Sequence, residues 1–179
     1  MKNNEHLFTS DRLGFRNWIE SDKLPFYKMN ANKEVMKYFP STLSKKESDS
    51  YVDKFNNHFV ENGFTFFAVD ELATSKFIGF IGLINTSFEA EFTPCVEIGW
   101  RLQKESWNKG FATEGAKRCL QYAFTELNIK EIYSITALDN SNSENVMLKI
   151  GMEKQGTFEH PLLEDGHWLK TELLYKISK

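Results

Sequence analysis

One stretch, Ile98 to Phe124, joins an extended apolar run to an amphipathic helix through a short glycine-containing turn, a place where an anion could bind. Its turn, Trp107-Asn108-Lys109-Gly110-Phe111-Ala112, falls where an extended apolar run ends and an amphipathic helix begins. Backbone N–H groups at a helix start have no intrahelical carbonyl to bind, and an anion is their natural partner. Gly110 lacks the Cβ that would keep a phosphate from the backbone. Each favourable charge there contributes roughly 0.3 to 1 kcal/mol, so a diphosphate held by several such groups gains a useful fraction of its binding energy. Many helices start near a glycine without binding anything, so the turn alone does not decide between a ligand and plain structure.

The elements around it must position that turn. Cys95 to Leu102 reads as a strand with Val96, Ile98, Trp100 and Leu102 on one face and Cys95, Glu97, Gly99 and Arg101 on the other. After the turn, Ala112, Ala116, Leu120, Ala123, Phe124 and Leu127 form a helical stripe, and Glu131 to Leu138 is the next strand. Strand, crossover helix and strand make a βαβ unit, so the two strands should be parallel neighbours with a right-handed connection.

Upstream, Arg12 to Trp18 reads as a first strand and Ser21 caps a short helix with Pro25 in its first turn. Asn32 to Phe39 looks like a second short helical piece, stopped at Pro40. Ser44 and Glu47 have capping-box spacing for a helix from about Lys45 to Glu61, which Asn62-Gly63 ends. Phe64 to Asp70 and Lys76 to Asn85 suggest an antiparallel hairpin, with Gly79 and Gly82 marking a bulge or close backbone approach. Downstream, Ser141 to Glu144 has capping-box spacing for a short helix stopped at Gly151, and strands at about Glu153 to His160 and His167 to Lys176 finish the sheet.

Composition bounds the partners. With 179 residues, 41% hydrophobic and 26% charged, the chain suits one soluble globular domain, 1-179, and neither a repeat nor a linker divides it. A net charge of −3 argues against nucleic acid and against a polybasic membrane anchor. Cys95 and Cys119 have no zinc-like spacing and read as reduced core thiols, so no metal is expected. The start, Met-Lys-Asn-Asn-Glu-His, lacks a signal peptide's apolar core, and no apolar run is long enough to span a bilayer; the expected location is cytoplasmic.

Three segments together resemble the GCN5-related N-acetyltransferases (GNAT), in the branch of ribosomal-protein N-terminal acetylases and spermidine acetyltransferases. They are Asp11 to Arg16; Glu97 to Leu102 with Trp107 to Glu114; and Asn140 to Ser143 with Lys149 to Met152. The resemblance implies an α+β fold of about seven strands, mixed and mostly antiparallel, with helices on both faces and a central parallel pair splayed to hold coenzyme A. It implies an acetyl-CoA-dependent transfer of an acetyl group to a primary amine, in a ternary complex without metal or covalent enzyme intermediate. The acceptor would be a small-molecule amine such as a polyamine, or a peptide N-terminus. A homodimer would fit similar proteins. The alternative is a non-catalytic acyl-CoA-binding sensor.

By the same resemblance Asn108, Lys109, Gly110, Phe111, Ala112 and Thr113 would hold the pyrophosphate, and amides near Trp100, Arg101 and Leu102 would polarise the thioester carbonyl. Glu97 would be the base that an ammonium acceptor needs; its structural reading is a solvent-facing glutamate, which Arg101, about 13 Å along the strand, cannot neutralise directly. Met147 stands where many relatives place a tyrosine that protonates the leaving thiolate. Ser143 resembles a serine suggested for that role, and could equally cap a helix. Asn140 either holds the strand end or the pantetheine arm, or is a turn residue. His160 and His167 read as surface residues, and Tyr38 and Phe39 would lie near the acceptor pocket. The acidic loop with Glu89 and Glu91 either attracts a cationic acceptor or is merely solvated.

Overall fold

The structure, a computed structural model, describes residues 6–179. The reading of the chain's start as lacking a signal peptide rests largely on Met1 to Glu5, which lie outside the described residues. Eight strands form one sheet: β1 (Phe8–Thr9), β2 (Leu13–Arg16), β3 (Phe66–Glu71), β4 (Lys76–Thr86), β5 (Cys95–Leu102), β6 (Glu131–Ala137), β7 (Glu153–Glu159) and β8 (Thr171–Ser178). Their order is β1-β2-β3-β4-β5-β6-β8-β7, with β5 and β6 the parallel pair and every other pairing antiparallel. The strand beyond the seven expected is β1, two residues held by Phe8↔Phe15 and Thr9↔Gly14, too short to leave a pattern in the sequence.

Helices cover both faces. On one, α3 (Phe111–Thr125) and α4 (Ser141–Lys149), with Ile150 just beyond its end, bury Phe111, Ala116, Cys119, Leu120, Ala123, Met147 and Ile150 against Leu13, Phe15, Ile81, Ile98 and Ile132. On the other, α1 (Lys23–Asn30) and α2 (Lys45–Asn62) bury Phe26, Met29, Val52 and Phe55 against Trp18, Ala68 and Phe80. The alternation of β5 explains how one strand serves both layers: Ile98 and Leu102 enter the α3 core, while a Cβ on Gly99 would meet the Phe66 ring on the α2 side at 3.0 Å.

The predicted capping box of α2 is present, with Glu47 N–H on Ser44 Oγ and Ser44 N–H on Glu47 Oε2, and Gly63 at φ 76° closes the helix. Gly79 and Gly82 mark close approaches: a Cβ would stand 2.2 Å from the Arg101 carbonyl oxygen and 2.1 Å from that of Thr65, respectively. Asn32 to Phe39 is a run of turns and not a helix: the Met36 N–H reaches the Asn32 carbonyl at helical spacing, but the Lys37 and Phe39 N–H groups bond only three residues back, to Glu34 and Met36. Ser21 caps nothing. Asp22 takes the Ile19 N–H instead and, with Asp70, encloses the buried guanidinium of Arg16.

Candidate active site

β5 and β6 share a single register pair, Glu97↔Tyr133. Beyond it the ladder opens, and the Ile98 carbonyl receives the Ser134 hydroxyl at 3.0 Å. The Gln103 N–H donates to Ile78 in β4, so strand alternation turns the Trp100 and Leu102 amides the other way, into the gap. Arg101, between them, directs its amide toward β4. The Trp107 indole N–H occupies the Leu102 carbonyl at 2.9 Å and ties the strand end to the following turn.

That turn follows a short 3-10 segment, Lys104–Ser106. Asn108 (φ 58°) and Gly110 (φ 79°) are left-handed with Lys109 between them, a curl of the kind that gathers successive N–H groups into an anion-binding concavity. Asn108, Lys109 and Gly110 are exposed, whereas Phe111 is buried and offers only its backbone. Ala112 and Thr113 lie in the first turn of α3, where amides have no helical partner. The groups present fit a diphosphate.

Glu97 sits at the apex where the strands part. Its carboxyl accepts the Thr86 hydroxyl at 2.7 Å, and burial pushes its pKa up to about 7 against the hydrogen bond, which pulls it down. Glu172 on β8, opposite Ala137, is also raised to about 7, first by burial and then by the charge of Glu97. Phe158, its register partner on β7, continues an aromatic wall: Phe88 stacks on Phe158 at 6.0 Å and lies 4.7 Å from the His160 ring, and Phe92 stacks on Tyr133 at 5.6 Å. The loop expected to be acidic therefore turns its two phenylalanines inward and leaves Glu89 and Glu91 exposed.

Across the gap, the C-terminal end of β6 leads into α4. Asn140, one residue before the expected box, is the helix cap: its Oδ1 accepts the Ser143 N–H at 3.3 Å and its Nδ2 donates to Ser143 Oγ at 3.1 Å. The Ser143 hydroxyl proton is left free by that bond. Met147 is 1% exposed and belongs to the core. The Tyr133 hydroxyl donates to Glu131, that of Tyr175 to Glu144, and that of Tyr38 to the Asp139 carbonyl, strapping the segment after α1 to the β6–α4 junction.

On the Glu97 face of β5, the Arg101 guanidinium lies 3.9 Å from the Phe39 ring and donates to Asn30 Oδ1 at 2.8 Å; Nε is buried without a partner, and burial lowers the pKa to about 10. Cys119 is buried and Cys95 only half-buried; both are free, and burial raises both thiols, Cys95 to about 11. His160 and His167 accept N–H groups of Leu162 and Leu169 in the loop before β8. Among the described residues no cluster could hold a metal ion, and no helix is long and apolar enough to cross a membrane. Sequence reasoning missed Thr86, Ser134 and Glu172. Only Glu172 left a signal, as an acid alternating with apolar residues inside a strand.

The sheet thus opens beyond one parallel pair, with the exposed left-handed turn at Asn108 to Gly110 following β5 and the half-buried Glu97 carboxyl where the strands part. Residues 12–153 match the acetyltransferase (GNAT) domain, and the chain belongs to the GNAT acetyltransferases. It is 30% identical over 161 residues to an N-acetyltransferase of Bacillus subtilis called YnaD, covering 89% of this chain and 90% of that one. It is 26% identical over 161 residues to spermidine N(1)-acetyltransferase of Vibrio cholerae, covering 88% of each. The fold matches that of a Vibrio cholerae spermidine N-acetyltransferase in complex with CoA and spermine, with a TM-score of 0.74, 24% identity, and 93% of this chain and 95% of that one covered.

Proposed function

We propose that this chain, acting as one N-acetyltransferase domain over residues 1–179, moves the acetyl group of acetyl-CoA directly to a primary amine in a ternary complex. The observation that carries this reading is Glu97: a half-buried carboxyl with its pKa pushed up to about 7, at the apex of the gap into which the Trp100 and Leu102 amides point. An amine acceptor arrives mostly as ammonium, and a base poised near neutral pH can take its proton, directly or through one water. The freed nitrogen lone pair then forms the bond to the thioester carbonyl carbon.

The amides of Trp100 and Leu102 stabilise the negative charge that develops on the carbonyl oxygen. Collapse breaks the C–S bond, and the electron pair leaves with sulfur. The acetylated nitrogen sheds its second proton to solvent as the amide forms, and the Ser143 hydroxyl protonates the thiolate and regains a proton from the same solvent, while Asn140 holds that hydroxyl in place. Asn108 to Thr113 hold the diphosphate. Both cysteines are kept protonated by burial, which supports direct transfer over a thioester on the enzyme.

Two half-buried carboxyls, Glu97 and Glu172, beside an aromatic wall suit a cationic acceptor, and the amine named for the Vibrio relative agrees in kind. A cytoplasmic location supplies acetyl-CoA. The test is release of free thiol from acetyl-CoA with a panel of polyamines, peptides with free N-termini and aminoglycosides. Turnover on a member of the panel is expected; tight acetyl-CoA binding with no turnover on any member would instead support a sensor.

A further inference from the structure

Arg12 immediately precedes β2 and lies far in sequence from the turn, yet its side chain reaches the Lys109 carbonyl there. Nη1 donates to the Lys109 carbonyl at 3.1 Å, and Nε and Nη2 both reach Glu114 Oε2, at 2.7 and 2.6 Å. Glu114 stands in the first turn of α3, where it accepts the Arg12 N–H at 2.8 Å and the Ser10 hydroxyl at 2.7 Å on its other oxygen. The Glu114 N–H in turn donates to the Gly110 carbonyl. The guanidinium lies 4.7 Å from the Phe111 ring centroid, and a Cβ on Gly110 would stand 3.5 Å from Nη2.

A trans peptide sets its C=O and N–H on opposite sides of one plane. Holding the Lys109 carbonyl on Arg12 therefore aims the Gly110 N–H away from Arg12, and keeps a carbonyl oxygen from turning toward an incoming anion. The same guanidinium cancels the charge of Glu114, which would otherwise oppose a phosphate at this helix start. We propose that Arg12 is a positioning residue for coenzyme A, fixing the direction of the Gly110 amide through the Lys109 carbonyl while neutralising Glu114. This rests on the reading of Asn108 to Thr113 as the diphosphate site.

The test compares unsubstituted protein, Arg12→Gln and Arg12→Lys by calorimetric titration with CoA, and by turnover with acetyl-CoA or S-acetylpantetheine, which has no diphosphate, as donor. Arg12→Gln is expected to weaken CoA binding about tenfold, the worth of one hydrogen bond to a charged group. KM for acetyl-CoA should rise in step with kcat retained, and kcat/KM for S-acetylpantetheine should stay at its original value. Arg12→Lys, which keeps the charge but not the fork, should fall between, and it carries the same comparison if Arg12→Gln does not fold. Equal CoA affinity in all three proteins, or equal losses with both donors, would overturn the role of Arg12 alone. Failure of the unsubstituted protein to bind CoA would overturn the diphosphate reading and this role with it.

Discussion

The Thr86 hydroxyl donates to the Glu97 carboxyl at 2.7 Å and opposes the upward pull of burial on that group. Thr86→Val removes the donor, so the Glu97 pKa should climb further above 7. In the proposed mechanism the carboxylate is the active form, so the acidic limb of kcat/KM against pH should move to higher pH. A limb that stays in place would separate Glu97 from the rate.

Glu172 should act in the opposite direction. Its own pKa is raised by the charge of Glu97, and such an interaction is mutual. Glu172→Gln removes a neighbouring negative charge, so the acidic limb should move to lower pH. The two substitutions bracket the unsubstituted profile from either side.

Glu97→Gln should lower kcat by about 10²- to 10⁴-fold, the range of general-base contributions, with the Kd for acetyl-CoA nearly intact. It should also change stability in a pH-dependent way. The folded pKa, about 7, lies above the ordinary 4.5, so the folded chain binds more protons than the unfolded one between these values and loses stability as pH rises through them. The substituted protein escapes that loss. Its Tm should exceed the original at pH 8, with the gain fading below about pH 4.5, as differential scanning calorimetry would show.

Arg16 joins Asp22 and Asp70 with all three side chains buried. Arg16→Gln leaves two carboxyls without their cation and should cost about 3–5 kcal/mol in denaturant unfolding. An isolated surface pair such as Lys45–Asp49 should cost under about 1 kcal/mol when broken, which sets the contrast.

How much of this was legible in the sequence follows from how local each signal is. The α2 cap, the β5 alternation and the strand–turn–helix around Gly110 are patterns within a few residues, and the structure reproduces them. The close approaches at Gly79 and Gly82 were legible too, because glycine within an aromatic strand has few other reasons. Thr86 and Ser134 were not: each acts through a partner on a neighbouring strand, and no spacing in the chain announces register. The 32–39 turns were not legible: a segment this short, stopped at Pro40, makes one helical-spaced bond, Met36 N–H to the Asn32 carbonyl, and then tightens to three-residue bonds, a difference too local for residue types to mark.

The single pairing of Glu97 with Tyr133 has a mechanical meaning. Two sheet halves, β1 to β5 and β6 to β8, are joined along β5 and β6 by one register pair and by the Ser134 hydroxyl on the Ile98 carbonyl, with helices lying across them. A ligand lodged in the opening would add attachment points to both margins, so it should tighten the whole molecule and not only its own pocket. Slower hydrogen exchange in β5 and β6 together on addition of CoA would register that tightening.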